Sequence, residues 1–183
     1  MKIRDISFKG AAEINSSPIK DKRGSFTRLF CQNELIDINQ NRPIQQINCS
    51  YSKKAGTLRG LHFQYPPKAE DKIVICISGK VFDVMIDIRK DSNTYTKWHS
   101  VILDSKKMNM IYISKGFAHG FQTLVDNCKI IYLHTEFHSH GHEGGFHYNS
   151  PSLNIPWPLD VSDLSKRDTE LKNFHPKTDG IQL

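Results

Sequence analysis

The stretch Lys72-Ile-Val-Ile-Cys-Ile-Ser-Gly-Lys-Val-Phe-Asp-Val-Met-Ile-Asp-Ile88 holds two runs of β-branched and apolar residues either side of a Ser78-Gly79 turn. Both runs are too short for a stable helix and rich in residues that suit a pleated surface, so each reads as a strand. Outward from this pair, residues 44–51, 98–103, 109–113 and 129–134 have the same character, and turns rich in Gly, Asn, Asp or Lys separate them. Strands at roughly ten-residue spacing without clear helices between them predict an all-β chain, built as an antiparallel sandwich or barrel. Short helices are expected over residues 31–38 and 162–171, the second with Ser162 as N-cap. Residues 151–158 read as an extended, Pro-punctuated surface segment, and the polar last dozen residues are expected to fray.

At 183 residues the chain is expected to form one domain over residues 1–183. Its core would lie at about 20–160, with a C-terminal segment at 161–183. The formal charge of +6 attracts anions. Its Lys and Arg are dispersed, which argues against nucleic acid and for a small anionic substrate. No apolar run is long enough to cross a bilayer, and the N-terminus lacks a signal peptide's apolar centre, so a cytoplasmic protein without membrane contact is expected. The four cysteines are scattered without a C-x-x-C pair, which favours free thiols over a disulfide framework or zinc site.

The residues that suggest chemistry centre on Gly56-Thr-Leu-Arg-Gly-Leu-His-Phe-Gln64. Strict alternation puts Leu58, Gly60 and His62 on one face and Arg59 and Leu61 on the other, unless Gly60 supports a bulge that re-aims one of them. An imidazole and a guanidinium this close suit a cavity that holds an anion and moves a proton, although a core histidine beside a surface arginine is the plainer reading. Arg23, in the turn Asp21-Lys-Arg-Gly-Ser-Phe26, would ordinarily be solvated; with Arg59 it could clamp a diphosphate. Lys72 follows Glu70-Asp71 and could be no more than half of a surface ion pair. His119 falls in the Gly-punctuated segment 114–121, read as a loop, and Tyr132 within an apolar strand. Asp168 would ordinarily be a surface acid near a helix start. His138, His140 and His142 alternate, but Gly141, Gly144 and Gly145 interrupt them, so a mobile loop of solvated histidines is expected here and no metal site.

These elements, taken in order, resemble the dTDP-4-dehydrorhamnose 3,5-epimerase family. The resemblance rests on Asp21-x-Arg-Gly-x-Phe26, Gln46-x-Asn48, the segment 56–64, Lys72, Val81-Phe-Asp-Val84 with Asp87-Ile-Arg89, Lys97-Trp98, Gly116-Phe-Ala-His-Gly-Phe121, Tyr132, Asn149-x-Pro151 and Leu164-Ser-x-x-Asp168. It implies a cupin-type double-stranded β-helix, or jelly roll, with short peripheral helices. It also implies a homodimer, no metal or organic cofactor, and a nucleotide-diphosphate 4-keto sugar as substrate, in bacterial cell-surface polysaccharide biosynthesis. By this resemblance His62 is the base, Asp168 its partner carboxylate, Lys72 the enolate-stabilising cation and Tyr132 the acid. Arg23, Phe26, Gln46, Asn48, Arg59, His119, Glu143 and Arg167 fall at substrate-contact positions. A C4 ketone acidifies the hydrogens on C3 and C5, so epimerisation needs a base on one ring face and an acid on the other.

The chain also departs from the pattern. Arg28 stands where a glutamate is common near the nucleotide base, and a guanidinium cannot accept the thymine ring N–H but matches guanine O6/N7. A GDP-linked 4-keto-heptose is therefore the expected substrate, with the dTDP-linked hexose as alternative. His138 replaces a usual tyrosine, Gly144 a usual arginine, and Ser114-Lys115 an expected proline. These changes gather on the sugar side and leave open whether C3, C5 or both are inverted. A catalytically silent nucleotide-sugar-binding cupin, a metal-dependent cupin enzyme and a sugar 3,4-ketoisomerase are the competing readings.

Overall fold

The computed structural model describes residues 1–183. Thirteen strands are formed: β1 (Lys2–Asp5), β2 (Ala11–Asn15), β3 (Ile19–Asp21), β4 (Gly24–Phe26), β5 (Gln46–Ser52), β6 (Leu58–Gln64), β7 (Lys72–Ser78), β8 (Lys80–Asp87), β9 (Trp98–Asp104), β10 (Asn109–Ile113), β11 (Phe117–Thr123), β12 (Cys128–His134) and β13 (Glu143–Gly145). Two short helices, α1 (Gln32–Asn39) and α2 (Lys166–Thr169), lie outside the sheets. One sheet has the order β1-β2-β10-β7-β12-β5 and the other β13-β6-β11-β8-β9, while β3 and β4 pair only with each other. Every ladder is antiparallel. The chain folds as a cupin-type jelly roll, with two sheets enclosing a central space.

The continuous apolar runs of β7 and β8 follow from burial on both faces. Val74 and Cys76 join Val81, Met85, Ile111, Phe117 and Ile130 between the sheets. Ile73 and Ile75 point the other way and pack with Leu35 of α1, Met110 and Leu133. On β8, Val84 and Ile86 face outward beneath Phe146, Leu153 and Phe174 from the C-terminal third. The inter-sheet hydrocarbon fills one end of the barrel. At the other end the same inner faces carry Lys72, Tyr132 and His134, and a cavity opens there.

Four expectations are corrected. His119 lies on β11, not in a loop, and is buried. Gly120 hid this strand from the sequence: a Cβ there would sit 2.7 Å from the Arg59 carbonyl oxygen, so glycine marks a close approach between strands. The histidine-rich segment is ordered, as a 3-10 turn (His140–His142) followed by β13, which pairs with β6. The N-cap of α2 is Ser165, whose Oγ accepts the Asp168 backbone N–H. The chain end does not fray, because Phe174 and Ile181 are buried and Ile181 bridges to Arg89.

Candidate active site

The open end of the barrel holds a cavity of about 240 Å³. Its lining includes Gln46, Asn48, Arg59, His62, Lys72, His119, Tyr132, His138, Glu143 and Arg167, which were singled out from the sequence, together with Glu70 and His134. Asp168 stands behind His62.

Arg59 and His62 reach the same cavity because β6 carries a bulge. His119 pairs with His62 and Phe121 with Arg59, so three steps on β6 match two on β11. Gly60 makes this possible at φ +122, and a Cβ there would meet the Gly120 Cα at 2.6 Å. The bulge puts an imidazole and a guanidinium three residues apart on one surface, the exception to strict alternation. Arg59 is braced through Nε on Ser52 Oγ at 3.2 Å and Nη2 on the Tyr51 carbonyl at 3.1 Å.

His62 Nε2 lies 2.6 Å from Asp168 Oδ1. Burial opposes the Asp168 charge, but hydrogen bonds with His62, the Gly60 N–H and Ser165 together hold its carboxyl below its ordinary value. An ionised Asp168 accepts a hydrogen bond from His62 Nε2–H, which keeps the proton on Nε2 and leaves Nδ1 as the basic nitrogen. His62 thus belongs to the five-stranded sheet, and Tyr132 to the facing six-stranded one. The Tyr132 hydroxyl is 3.0 Å from Ser50 Oγ, and its ring stands edge-on to His119 at 6.5 Å between centroids. Burial pushes the Tyr132 phenol well above its usual pKa, against opposing pulls from Ser50 and Arg59. Tyr132 is therefore protonated at neutral pH and able to donate. His119 itself is locked to the buried Asp83 at 2.9 Å.

Lys72 is buried, with Nζ 2.9 Å from Glu70 Oε1. This is an interior ion pair at the cavity, not the solvated pair the sequence suggested. Glu143 gathers the rim: its Oε1 is 2.8 Å from His138 Nε2 and 2.7 Å from Arg167 Nη1. His138, His140 and Glu143 bring ligand-type atoms within 4.8 Å of one another. Arg167 already supplies a cation to that carboxylate, so a metal ion there would have to compete with it. Gly144 is explained sterically, since a Cβ would fall 2.5 Å from the Phe63 ring.

Arg23, Phe26 and Arg28 do not line the cavity of their own chain. The β3–β4 hairpin is exposed throughout, Arg23 pairs with Asp21 at 2.6 Å, and Arg28 pairs with Glu34 at 2.5 Å. Arg28 is held by Glu34 and makes no contact that would select a base, so the preference for a GDP-linked heptose drawn from it is not supported. Glu70 and His134 carried no motif. Their place emerges only from register, which sets His134 opposite Gln46 and Lys72.

A sequence profile described as dTDP-4-dehydrorhamnose 3,5-epimerase matches residues 5–176. The Mycobacterium tuberculosis dTDP-4-dehydrorhamnose 3,5-epimerase is 38% identical over 178 residues, covering 95% of this chain and 88% of that protein. The Bacillus anthracis enzyme of that name, crystallised with TDP and PPi, superposes with a TM-score of 0.91 at 37% identity, over 94% of this chain and 99% of the other. A Legionella pneumophila dTDP-6-deoxy-D-glucose-3,5-epimerase in complex with dTDP-4-keto-L-rhamnose gives 0.89 at 34% identity, over 94% and 92%. On these likenesses, and with the ordered motifs assembled in one cavity, the chain belongs to the dTDP-4-dehydrorhamnose 3,5-epimerase family.

Proposed function

We propose that this enzyme inverts C3 and C5 of a dTDP-linked 4-keto-6-deoxyhexose, and the observation that carries the reading is the His62–Asp168 pair facing Tyr132 from the opposite sheet. His62 Nδ1 removes the proton beside the C4 ketone, and the electron pair moves onto the carbonyl oxygen. The Lys72 ammonium, fixed by Glu70, stabilises the enolate where its charge develops. Tyr132 returns a proton from the other face. Arg59 holds the diphosphate, while Gln46, Asn48, His119, His138, Glu143 and Arg167 bind the sugar and its linkage. Binding energy from the nucleotide end orients the reacting ring.

A homodimer fits the surface. The hairpin leaves Ile19 71% and Phe26 66% exposed, and the edge strand β5 leaves Ile47 64% exposed. Covered by a second copy these side chains would be buried, and Arg23 and Phe26 would reach a nucleotide only in a neighbour's cavity. Cys31, Cys49, Cys76 and Cys128 as free thiols suit the reducing cytoplasm.

The test is to supply dTDP- and GDP-linked 4-keto-6-deoxy sugars separately and follow ring configuration by NMR. The reading expects the dTDP sugar to be converted and inverted. Turnover of the GDP sugar alone, or of neither, contradicts it.

A further inference from the structure

The wall that carries Tyr132 presents a second proton-carrying group. Tyr132 and His134 are two residues apart on β12 and so face the same way, with rings stacked at 22° and 6.0 Å between centroids. Register sets Tyr132 opposite Asn48 and Val74, and His134 opposite Gln46 and Lys72. Both side chains therefore line the same cavity as His62, from the opposing sheet.

Glu70 ties this corner together. Its Oε2 lies 3.0 Å from His134 Nδ1 and its Oε1 2.9 Å from Lys72 Nζ. The carboxylate is 10% exposed, so the contacts form out of bulk water. His134 Nδ1 is thereby assigned as the protonated, bonded nitrogen. Nε2 makes no hydrogen bond, and no buried polar side-chain atom lacks a partner, so Nε2 is open to the cavity. The arrangement repeats the His62–Asp168 pair on the opposite side of the space where the sugar would lie.

We propose that His134, oriented by Glu70, is a second proton donor on the Tyr132 wall, so that Tyr132 and His134 each re-protonate a different one of the two carbons flanking the ketone. This rests on the epimerase reading. In each half-reaction His62 takes one proton from carbon, and one proton arrives from the facing wall. His134 enters the step as the imidazolium, with a proton on each ring nitrogen; it delivers the Nε2 proton to the enolate carbon, becomes neutral imidazole with Nδ1–H kept on Glu70, and regains the Nε2 proton from water. His62 releases its proton to water, and the sugar returns to a neutral ketone.

The test is a reaction in D₂O with dTDP-4-keto-6-deoxyglucose, locating inversion and deuterium at C3 and C5 by NMR. Wild type, His134→Ala, His134→Asn and Glu70→Gln would be compared, with thermal melts confirming folding. The expected result is selective loss of inversion at one carbon in both His134 variants, by ~10²-fold or more, with the other carbon inverted near the wild-type rate. Glu70→Gln also loosens Lys72, so it should lower inversion at both carbons and most at the carbon affected in the His134 variants. Unchanged inversion at both carbons, or equal loss at both, overturns the assignment. A wild-type enzyme that exchanges neither carbon would instead refute the epimerase reading on which the assignment rests.

Discussion

At the residue scale neighbouring side chains would do separate work. His62→Ala should lower turnover by ~10²–10⁴-fold, as removal of a positioned proton carrier does, and should also lower the melting temperature because it leaves the buried Asp168 carboxylate without its partner. Wild-type turnover in that variant would contradict the base assignment. Tyr132→Phe should give a comparable loss of doubly inverted product, measured by the same NMR assay, with the cavity shape retained. If Arg59 holds the diphosphate and takes no part in proton transfer, Arg59→Ala should weaken affinity for dTDP more than it lowers turnover. Calorimetric titration with dTDP checks this, and unchanged affinity would rule out the diphosphate role.

At the element scale the β6 bulge decides whether there is a site at all. Without the extra residue, Arg59 and His62 would point to opposite faces of the sheet. Gly60→Ala puts a side chain on a left-handed backbone and against Gly120, so it should cost about 1–3 kcal/mol in denaturant unfolding and lower activity as well. Stability and activity both equal to wild type would show that the bulge is not needed. This element also marks what the sequence could reveal. The runs at β7, β8, β9, β10 and β12 were legible because β-branched residues crowd them. By contrast β11 was not, since its glycines look like loop residues until the approach of β6 explains Gly120. Nor was β2, whose residues Ala11-Ala-Glu-Ile-Asn15 are strand only because β1 and β10 flank them. The family motifs singled out His62, Lys72 and Tyr132, which line one cavity, and Asp168, which stands behind His62. Glu70, just ahead of β7, and His134 on β12 meet across 64 residues of sequence and carry no local signal.

At the scale of the whole molecule two properties can be measured. The first is assembly. If the Ile19–Phe26 hairpin is an interface, Ile19→Asp with Phe26→Asp should turn a dimer into a monomer in sedimentation velocity and weaken dTDP binding, whereas a monomeric wild type would refute the homodimer. The second is acid stability. Burial opposes the Glu70 charge, but Lys72 and His134 prevail and hold its carboxyl at about 2 instead of 4.5. A carboxylate depressed in the folded state stabilises fully above its unfolded value, and that contribution disappears as pH falls through the folded one. At about 1.4 kcal/mol per unit it amounts to about 3 kcal/mol, lost between about pH 4.5 and 2. Glu70→Gln should therefore flatten the decline of unfolding free energy over that window, and an identical acid slope in the variant would contradict it.

Epimerisation here would need a base and an acid meeting across one bound ring, and solvent exchange reads this directly. Wild type and His62→Ala would each be incubated with dTDP-4-keto-6-deoxyglucose in D₂O, and deuterium at C3 and C5 counted with time. Rapid labelling of both carbons by wild type, with loss of labelling at both in His62→Ala, is the predicted result. Persistent labelling without His62, or none with it, would contradict the central claim.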